Sequence, residues 1–114
     1  SIVGTAIRHR ESIAISSSDV QSESIQLIAA QAADDLLDIK GINASFVIAQ
    51  KLDGTVFISG RSLGDVNVQI ILEKLGGGGH LEVAGAQFKD ANIEEVKQRL
   101  IESIDQYYEE GASK

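Results

Sequence analysis

The chain has 114 residues, a formal net charge of −7 and 43% hydrophobic residues, which is the size and composition of one globular domain. It contains no cysteine, which excludes disulfides and thiolate metal sites, and no apolar run approaches the ~18 residues of a membrane span. The acidic balance argues against a surface that binds duplex nucleic acid, although a small basic pocket remains compatible with it.

Two features of the sequence concern its context in a longer protein. Methionine is absent, so we expect the chain to be a fragment. No signal-peptide pattern opens it, which is compatible with a cytoplasmic setting.

The first third of the chain predicts a strand and a long helix. Residues 1–12 predict either an interdomain linker or a first strand, and Ile13-Ala14-Ile15 predicts a strand that ends at three serines. From Ser22 to Lys40, apolar residues recur every three or four positions, which predicts a helix with one buried face. Gly41 follows as a residue suited to end that helix.

Two groups of titratable side chains in this part are interpreted as solvated surface. Asp34, Asp35 and Asp38 lie close together, but no histidine at metal-binding spacing accompanies them. His9 stands between two arginines and carries no other signal of function.

The middle of the chain predicts a β-hairpin. Ala44–Leu52 and Thr55–Arg61 flank Asp53-Gly54, which is the strongest short signal for a two-residue hairpin loop. The expected register pairs Ile48 with Ser59 and Phe46 with Arg61. Because the first strand is apolar on both alternating faces, helices should cover the sheet on both sides.

The last part predicts three more helices and a short strand. Asp65 is the expected N-cap of a helix over Val66–Leu75, and a second short helix is expected over His80–Gly85. Gln87-Phe88 then predicts an edge strand. Asn92, with Glu95 three positions on, matches the capping box of a final helix.

We therefore expect an α/β fold in which a mixed sheet contains a central β-hairpin covered by helices. The domain should extend over residues 13–108. Residues 109–114 are expected to be a frayed tail.

The glycine run Gly76-Gly77-Gly78-Gly79, followed by His80, is the main candidate functional segment. Consecutive glycine N–H groups can form a nest for an anion, and His80 can donate a hydrogen bond or a charge to the same anion. A flexible linker between two helices is the ordinary alternative for such a run.

Three polar residues upstream are further candidates. Arg61 stands at the end of the second hairpin strand, where it could clamp a phosphate with two hydrogen bonds while Ser62 donates its hydroxyl. A solvated strand end is the alternative for Arg61. Asn67 could contact a ligand or simply cap the following helix.

The strings that carry a family resemblance surround the glycine run. They are Gly60-Arg61-Ser62, Asn67-Val68-Gln69, Gly76-Gly77-Gly78-Gly79-His80-Leu81 and Val83-Ala84-Gly85-Ala86. Taken together, they resemble the DHH-associated domain of the DHH phosphoesterase family, most closely the GdpP group, which hydrolyses cyclic di-AMP. The resemblance extends from about Ile13 to Tyr107. Val83 departs from it, because many relatives have alanine there, and this widens the range of subgroups.

The resemblance implies a substrate-binding domain that lacks a catalytic centre of its own. The metal, usually manganese, would lie in an N-terminal DHH domain of the same protein, so the isolated fragment should bind no metal and be inactive. The implied substrate is a cyclic dinucleotide, with short oligoribonucleotides and adenosine bisphosphate as alternatives. The implied site residues are Arg61, Ser62, Asn67, Gly76, Gly77, Gly78, Gly79 and His80.

Two other kinds of function remain open at this point. One is a nucleic-acid-binding module like the related domain of alanyl-tRNA synthetases, against which the acidic balance counts. The other is an interaction domain, and a homodimer is among the arrangements to test. We expect no direct membrane contact by this fragment, although the parent protein of the GdpP group is commonly membrane-anchored.

Overall fold

The structure, a computed structural model, describes residues 2, 4 and 6–111 and is built on one six-stranded sheet. The strands are β1 (Ile7–His9), β2 (Ile13–Ser17), β3 (Ala44–Gln50), β4 (Val56–Ser62), β5 (Gly78–Gly79) and β6 (Val83–Phe88). The helices are α1 (Ile25–Leu36), α2 (Val68–Glu73) and α3 (Ile93–Glu109). The strand order is β1-β2-β3-β4-β6-β5, in which β2 and β3 are parallel and the other neighbours antiparallel. The predicted mixed sheet with a central hairpin is confirmed.

Side chains on the two faces of the sheet enter two separate cores. Phe46 and Ile48 of β3 pack with α2 and α3, whereas the alternate residues Val47 and Ala49 pack with α1. All four are essentially without solvent exposure, which is the result of helices covering both faces of this strand. The apolar side of α1 faces the second core; its buried residues are Ile25, Ala29, Ala32, Ala33 and Leu36.

The predicted hairpin exists, but its predicted register is wrong by one residue. Phe46 pairs with Gly60 and Ile48 pairs with Ile58. The cause is the loop, because the Lys51 N–H donates to the Thr55 carbonyl at 2.8 Å and so leaves three residues rather than two in the turn. Gly54 takes φ +94°, the left-handed conformation that a three-residue hairpin loop requires at its last position.

Helix α1 is shorter than the predicted Ser22–Lys40. It ends at Leu36, and the next residues form tighter turns in which the N–H of Leu37 donates to the Asp34 carbonyl at 3.1 Å. Such i to i+3 bonds satisfy carbonyl groups that a helix end leaves free. Gly41 has the expected positive φ of +87°, but it closes this turn region rather than the helix.

The expected N-cap of α2 at Asp65 is wrong. Helix α2 starts at Val68, and the side chain of Asn67 accepts a hydrogen bond from the Ile70 N–H at 3.1 Å. That bond is the ordinary satisfaction of a free amide in the first helical turn. The buried residues of α2 are Val68, Ile71 and Leu72.

The short helix expected over His80–Gly85 is also wrong, because this segment turns and enters strand β6. The strand pairs with β4 from Val56–Phe88 to Arg61–Val83 and buries Ala84, Ala86 and Phe88. Burial of every second residue is the period of a strand. Gln87-Phe88, expected as an edge strand, is the end of β6, whose outer neighbour is the two-residue β5.

The two ends of the described chain meet at the contact between β1 and α3. The strand alternative for residues 1–12 agrees with β1, and Asn92 caps α3 through the Glu95 N–H at 2.8 Å as expected. Near the other end of α3, Oδ1 of Asp105 lies 2.8 Å from His9 Nε2 and 2.8 Å from Arg10 Nε. Helix α3 continues to Glu109, and of the expected frayed tail, residues 112–114 lie outside the described residues.

We expect the Asp105 contacts to make stability depend on pH in the acid range. Hydrogen bonds from Arg10 and His9 lower the pKa of Asp105 below its ordinary value of 3.8. The carboxylate therefore stabilises the fold above the unfolded-state pKa and loses this effect as pH falls through the lower folded-state value. Asp105→Asn should lower the free energy of unfolding at pH 6 by up to about 1 kcal/mol, the ordinary range for exposed ion pairs.

The measurement is urea unfolding of the wild type and the Asp105→Asn variant from pH 6 to pH 2.5. The difference should shrink toward the acid end. Glu102→Gln is the matched control on the same helix, since Glu102 is exposed and has no such contacts among the described residues. A difference that stayed constant with pH would contradict this account.

Candidate functional site

The glycine segment begins as the end of helix α2. The Gly77 N–H donates to the Leu72 carbonyl at 2.8 Å, and the Gly76 N–H donates to the Glu73 carbonyl at 3.0 Å. This pair of bonds, together with a φ of +86° at Gly76, is the Schellman arrangement that satisfies the last carbonyl groups of a helix. Two of the four glycine amides are therefore used to terminate α2.

The next glycines bring the backbone unusually close to strand β6. A Cβ on Gly77 would overlap the carbonyl oxygen of Gly85 and lie 2.7 Å from the Cβ of Ala86. A Cβ on Gly79 would overlap the carbonyl oxygen of Val83, and Gly79 has φ +145° as well. At Gly78, in contrast, a Cβ would meet nothing within 4 Å. The run is neither a flexible linker nor a free loop, since it forms β5 and the turn that leads to it.

The strand register shows where the remaining amides point. His80 donates its N–H to the Val83 carbonyl at 2.7 Å, and Gly78 lies opposite Gly85 in the same phase of the ladder. Because bonded and non-bonded pairs alternate in an antiparallel ladder, the Gly78 amide faces β6 and the Gly79 amide faces outward from the sheet edge. The expected nest of four free amides is thus reduced to one outward-facing amide, next to the exposed side chain of His80.

Arg61 lies on the face of β4 that α1 covers. Phe57, Ser59 and Arg61 are every second residue of β4, so their side chains share this face, and Phe57 packs in the core beneath α1. Nη1 of Arg61 donates to the carbonyl of Gly60 at 2.8 Å, and its Nε lies 3.3 Å from Oδ1 of Asp34. Only 17% of the Arg61 side chain is exposed. The guanidinium is therefore held in place, and among the described residues no partner is found for its Nη2.

Ser62 and Asn67 lie apart from Arg61. Ser62 is on the opposite face of β4, where it is buried and its Oγ accepts a hydrogen bond from the Gly64 N–H at 2.9 Å. Asn67 caps α2, and its N–H donates to the Tyr107 hydroxyl at 2.9 Å. The roles of both residues toward a ligand stay predictions, but their side chains do not converge with Arg61.

A groove of about 390 Å³ lies beside α1 on the same face of the sheet as Arg61. Its lining consists of Gln26, Phe57, Ile58, Ser59, Gly76, Gly77, Gly85, Ala86 and Gln87. Ser59 lies two strand residues from Arg61, a distance of about 7 Å along the strand. Arg61 is not among the lining residues but lies next to Ser59 on the same face of β4, and the volume of the groove is in the lower range of small-molecule sites.

A larger cavity of about 440 Å³ lies elsewhere, next to the start of α2 and the end of α3. Its lining includes Asn67, Tyr107 and Glu110. We favour the smaller groove as the candidate site because Gly76 and Gly77 line it and it lies on the face of Arg61, whereas no residue of the glycine run lines the larger cavity. Within the larger cavity, Asn67 is occupied by the cap of α2 and by its contact with the Tyr107 hydroxyl.

The sequence analysis did not identify several residues on this face of the sheet. The two-residue period of a strand and the 3.6-residue turn of a helix could have identified them. Ser59 and Arg61 are two positions apart on one strand, so their side chains share a face. Gln26 and Asp34 are eight positions apart on one helix, which is close to two full turns and again gives one side. Asp34, interpreted as a solvated residue, is in fact half of an ion pair with the candidate arginine.

The described residues offer no ready metal centre, since among residues 2, 4 and 6–111 no three side chains of His, Asp or Glu come together as ligands. Within the same range, no helix has the length and apolar character needed to cross a bilayer.

The fold and the groove together define a small α/β domain with a mixed sheet and one held arginine beside a glycine strand. The DHHA1 domain family matches residues 11–110, and the chain belongs to this family.

Named relatives agree with the family assignment. The chain is 54% identical over 99 residues to the cyclic-di-AMP phosphodiesterase GdpP of Geobacillus thermodenitrificans. The aligned residues make up 87% of this chain and 15% of that protein. It is 48% identical over 100 residues to the cyclic-di-AMP phosphodiesterase PdeA of Listeria monocytogenes, with 88% of this chain and 15% of that protein covered. The chain thus spans about a seventh of these relatives' length.

Two further relatives are more distant. The bifunctional oligoribonuclease and PAP phosphatase NrnA of Thermus thermophilus is 40% identical over 58 residues, which is 51% of this chain and 18% of that protein. The crystal structure of an exopolyphosphatase-related protein from Bacteroides fragilis matches with a TM-score of 0.76 at 19% identity, over 93% of this chain and 32% of that one. At that identity the likeness concerns the fold.

Proposed function

We propose that this chain is the substrate-binding domain of a phosphodiesterase that hydrolyses cyclic di-AMP to a linear dinucleotide. The observation that carries the proposal is Arg61, whose guanidinium is mostly buried, held by two contacts and left with Nη2 free of described partners beside the groove. A planar guanidinium suits a phosphate because it can offer parallel N–H donors.

In this proposal the groove receives one nucleotide unit of the substrate. Arg61 contacts the phosphodiester, while the outward amide of Gly79 and the exposed imidazole of His80 lie at the glycine end. Gln26, Ser59 and Gln87 supply neutral donors and acceptors along the groove, which suit a nucleobase or a sugar hydroxyl. The volume of about 390 Å³ is too small to enclose two nucleotides, so the second would extend beyond this domain.

The catalytic step is assigned to a separate N-terminal DHH domain of the same protein, which would hold manganese and the attacking water. What this chain would do is bind and orient the phosphodiester, which lowers the entropic cost of bringing water and phosphorus together. We accordingly expect the chain alone to bind substrate without hydrolysing it.

A related substrate is the second candidate, because the relative NrnA is named for oligoribonuclease and PAP phosphatase activities. Short oligoribonucleotides and adenosine bisphosphate contain the same adenosine and phosphate groups, and the groove could accept one such unit. A direct competition between cyclic di-AMP and a short oligoadenylate for the same chain would separate the two.

The test is an NMR titration of the purified chain with cyclic di-AMP. We expect a dissociation constant between about micromolar and millimolar, which is ~4–8 kcal/mol, because no partner domain encloses the ligand. Amide shifts should concentrate at Gly77–Gly79, at His80 and at the Arg61 Nε–H.

The residues of the larger cavity serve as the internal control in this titration. Amides of Ile70 and Gly111, which line that cavity, should not move. Shifts confined to them, or no shifts at millimolar ligand, would contradict the proposal. Added manganese should produce no turnover in the same sample, and turnover above background would refute the division of roles between the two domains.

A further inference from the structure

The contact between Arg61 and Asp34 links the candidate phosphate clamp to helix α1. Oδ1 of Asp34 lies 3.3 Å from Nε of Arg61, and the side chains are 65% and 17% exposed respectively. Solvent around the exposed Asp34 carboxylate screens its attraction to Arg61, so this ion pair contributes little to stability. The position of Asp34 at the candidate site therefore calls for a functional explanation.

The contacts of Arg61 leave a defined space for a ligand. A guanidinium has five N–H donors, of which an Nη1 donor is given to the Gly60 carbonyl and the Nε edge faces Asp34. A phosphate that binds Arg61 must therefore use mainly Nη2, and it then lies close to the Asp34 carboxylate as well. The ligand meets one positive and one negative charge at the same place.

We propose that Asp34 makes this site select singly charged phosphodiesters over doubly charged phosphomonoesters. The inference rests on the proposed function and adds a specificity residue to it. A phosphodiester carries one negative charge, whereas a terminal phosphomonoester carries about −1.5 to −2 at pH 7, since its second pKa is about 6. The Asp34 carboxylate repels the second charge more than the first.

This selectivity separates substrate from product in the proposed reaction. Hydrolysis of one phosphodiester bond forms a new bond from phosphorus to the water oxygen and breaks one ester bond, and a proton goes to the leaving hydroxyl. The product carries a terminal phosphomonoester that the substrate lacks. Asp34 thus disfavours the group that the reaction creates, which promotes its release from Arg61.

The other charged groups near Arg61 are the same in the wild type and in the Asp34→Asn variant. Asp35 lies in the last turn of α1 and Asp38 just after that helix, and His80 and Glu82 lie in the turn between β5 and β6. Ser45 on β3 and Val83 on β6, which pair with Arg61, are neutral. Because these groups are common to both proteins, the ratio of affinities between the wild type and the Asp34 variant cancels their contribution.

The experiment compares adenosine 5′-monophosphate with its methyl ester, which share base and sugar and differ in one phosphate charge. Affinities of the purified chain are measured by NMR titration at pH 7.5 for the wild type, Asp34→Asn and Asp35→Asn. Asp34→Asn should raise the affinity for the methyl ester about threefold and that for the monophosphate about ninefold. The substitution removes a repulsion of about 0.7 kcal/mol for each negative charge on the ligand. The preference thus shifts about threefold toward the monoester.

Asp35→Asn is the matched control, since it removes the same charge one residue away, at an exposed position that forms no ion pair with Arg61 among the described residues. It should leave the preference within about 1.5-fold of wild type, because solvent screens an exposed charge that does not face the ligand. At pH 5 the monophosphate carries about one charge, and the threefold preference shift in Asp34→Asn should disappear. A merely structural role for Asp34 would not respond to the charge of the ligand.

Three outcomes would overturn the inference. Equal preference shifts in the two variants would show a general charge effect, and weaker binding of both ligands by Asp34→Asn would show that Asp34 only positions Arg61. A preference shift that persisted at pH 5 would exclude the second phosphate charge as its cause. Failure of the wild type to bind either nucleotide would instead refute the proposed function, and the inference with it.

Discussion

Gly77→Ala is expected to lower the free energy of unfolding by about 3 kcal/mol or more, at the upper end of the range for overpacking. The added Cβ would overlap the Gly85 carbonyl oxygen and crowd Ala86, and both neighbours are part of strand β6 in the interior of the sheet. Neither can move without breaking the ladder between β6 and β4. The substitution should therefore detach β5 and the end of α2 from the sheet.

Gly78→Ala is the matched control, one residue further along the chain, at the start of β5. A Cβ there meets nothing within 4 Å, and Gly78 is not among the residues with positive φ. Its free energy of unfolding should stay within about 0.5 kcal/mol of wild type, the usual range for surface substitutions. Urea unfolding of the three proteins gives the comparison, and equal destabilisation of the two variants would contradict the close approach of β5 to β6.

The Gly78→Ala variant also examines the role of the glycine strand in binding. Since its fold should persist, any loss of affinity for cyclic di-AMP reports contact between the ligand and this part of the strand. Because Gly78 does not have a positive φ, backbone strain would not explain such a loss. The added methyl group would instead act by blocking the close approach of the ligand. An unchanged dissociation constant would remove Gly78 from the candidate site.

Arg61→Ala is expected to weaken binding of cyclic di-AMP about 10- to 150-fold, which corresponds to the loss of one charge-assisted hydrogen-bonded contact of about 1.5–3 kcal/mol. Arg61→Lys should recover only part of this loss, because an ammonium keeps the charge but not the planar fork of donors. The dissociation constants are obtained from the NMR titration described above, with the purified chain.

Arg99→Ala provides the control for net charge. Arg99 lies over the Phe88 ring at 5.1 Å, and Phe88 belongs to the core on the opposite face of the sheet. Removal of Arg99 changes the total charge by the same amount, but it should leave affinity within about twofold of wild type, as expected for a screened distant charge. Comparable losses for Arg61→Ala and Arg99→Ala would show that bulk charge, and not a local clamp, attracts the nucleotide.

The family and the hairpin were accessible from the sequence, for different physical reasons. The family resemblance depends on short strings such as Gly60-Arg61-Ser62, and it is confirmed over residues 11–110. The hairpin was predictable because Asp-Gly, present here as Asp53-Gly54, is one of the few residue pairs that suit a tight turn between strands. Its register was not accessible, because a two-residue and a three-residue loop differ by one hydrogen bond, that of Lys51 with Thr55.

The segment after the glycine run shows where local reasoning failed. A period of two over Ala84, Ala86 and Phe88 was present in the sequence, but the glycines favoured an interpretation as a joint between helices. The segment forms a strand because it pairs with β4. The partner residues in β4 are about 27 positions away, so the local sequence does not reveal them. Tertiary pairing of this kind overrides local propensity.

The sequence alone therefore predicted the domain class, buried helical faces and a set of candidate phosphate-binding residues, because periodicity, capping and side-chain chemistry are local properties. Tertiary structure alone decided which of these residues meet. It brought Arg61 to Asp34 on the face of the sheet that carries the groove, while it placed Ser62 on the opposite face and Asn67 at the cap of α2. The physical reason is that a strand sends successive side chains to opposite faces, so neighbours in the chain such as Arg61 and Ser62 become separated in space.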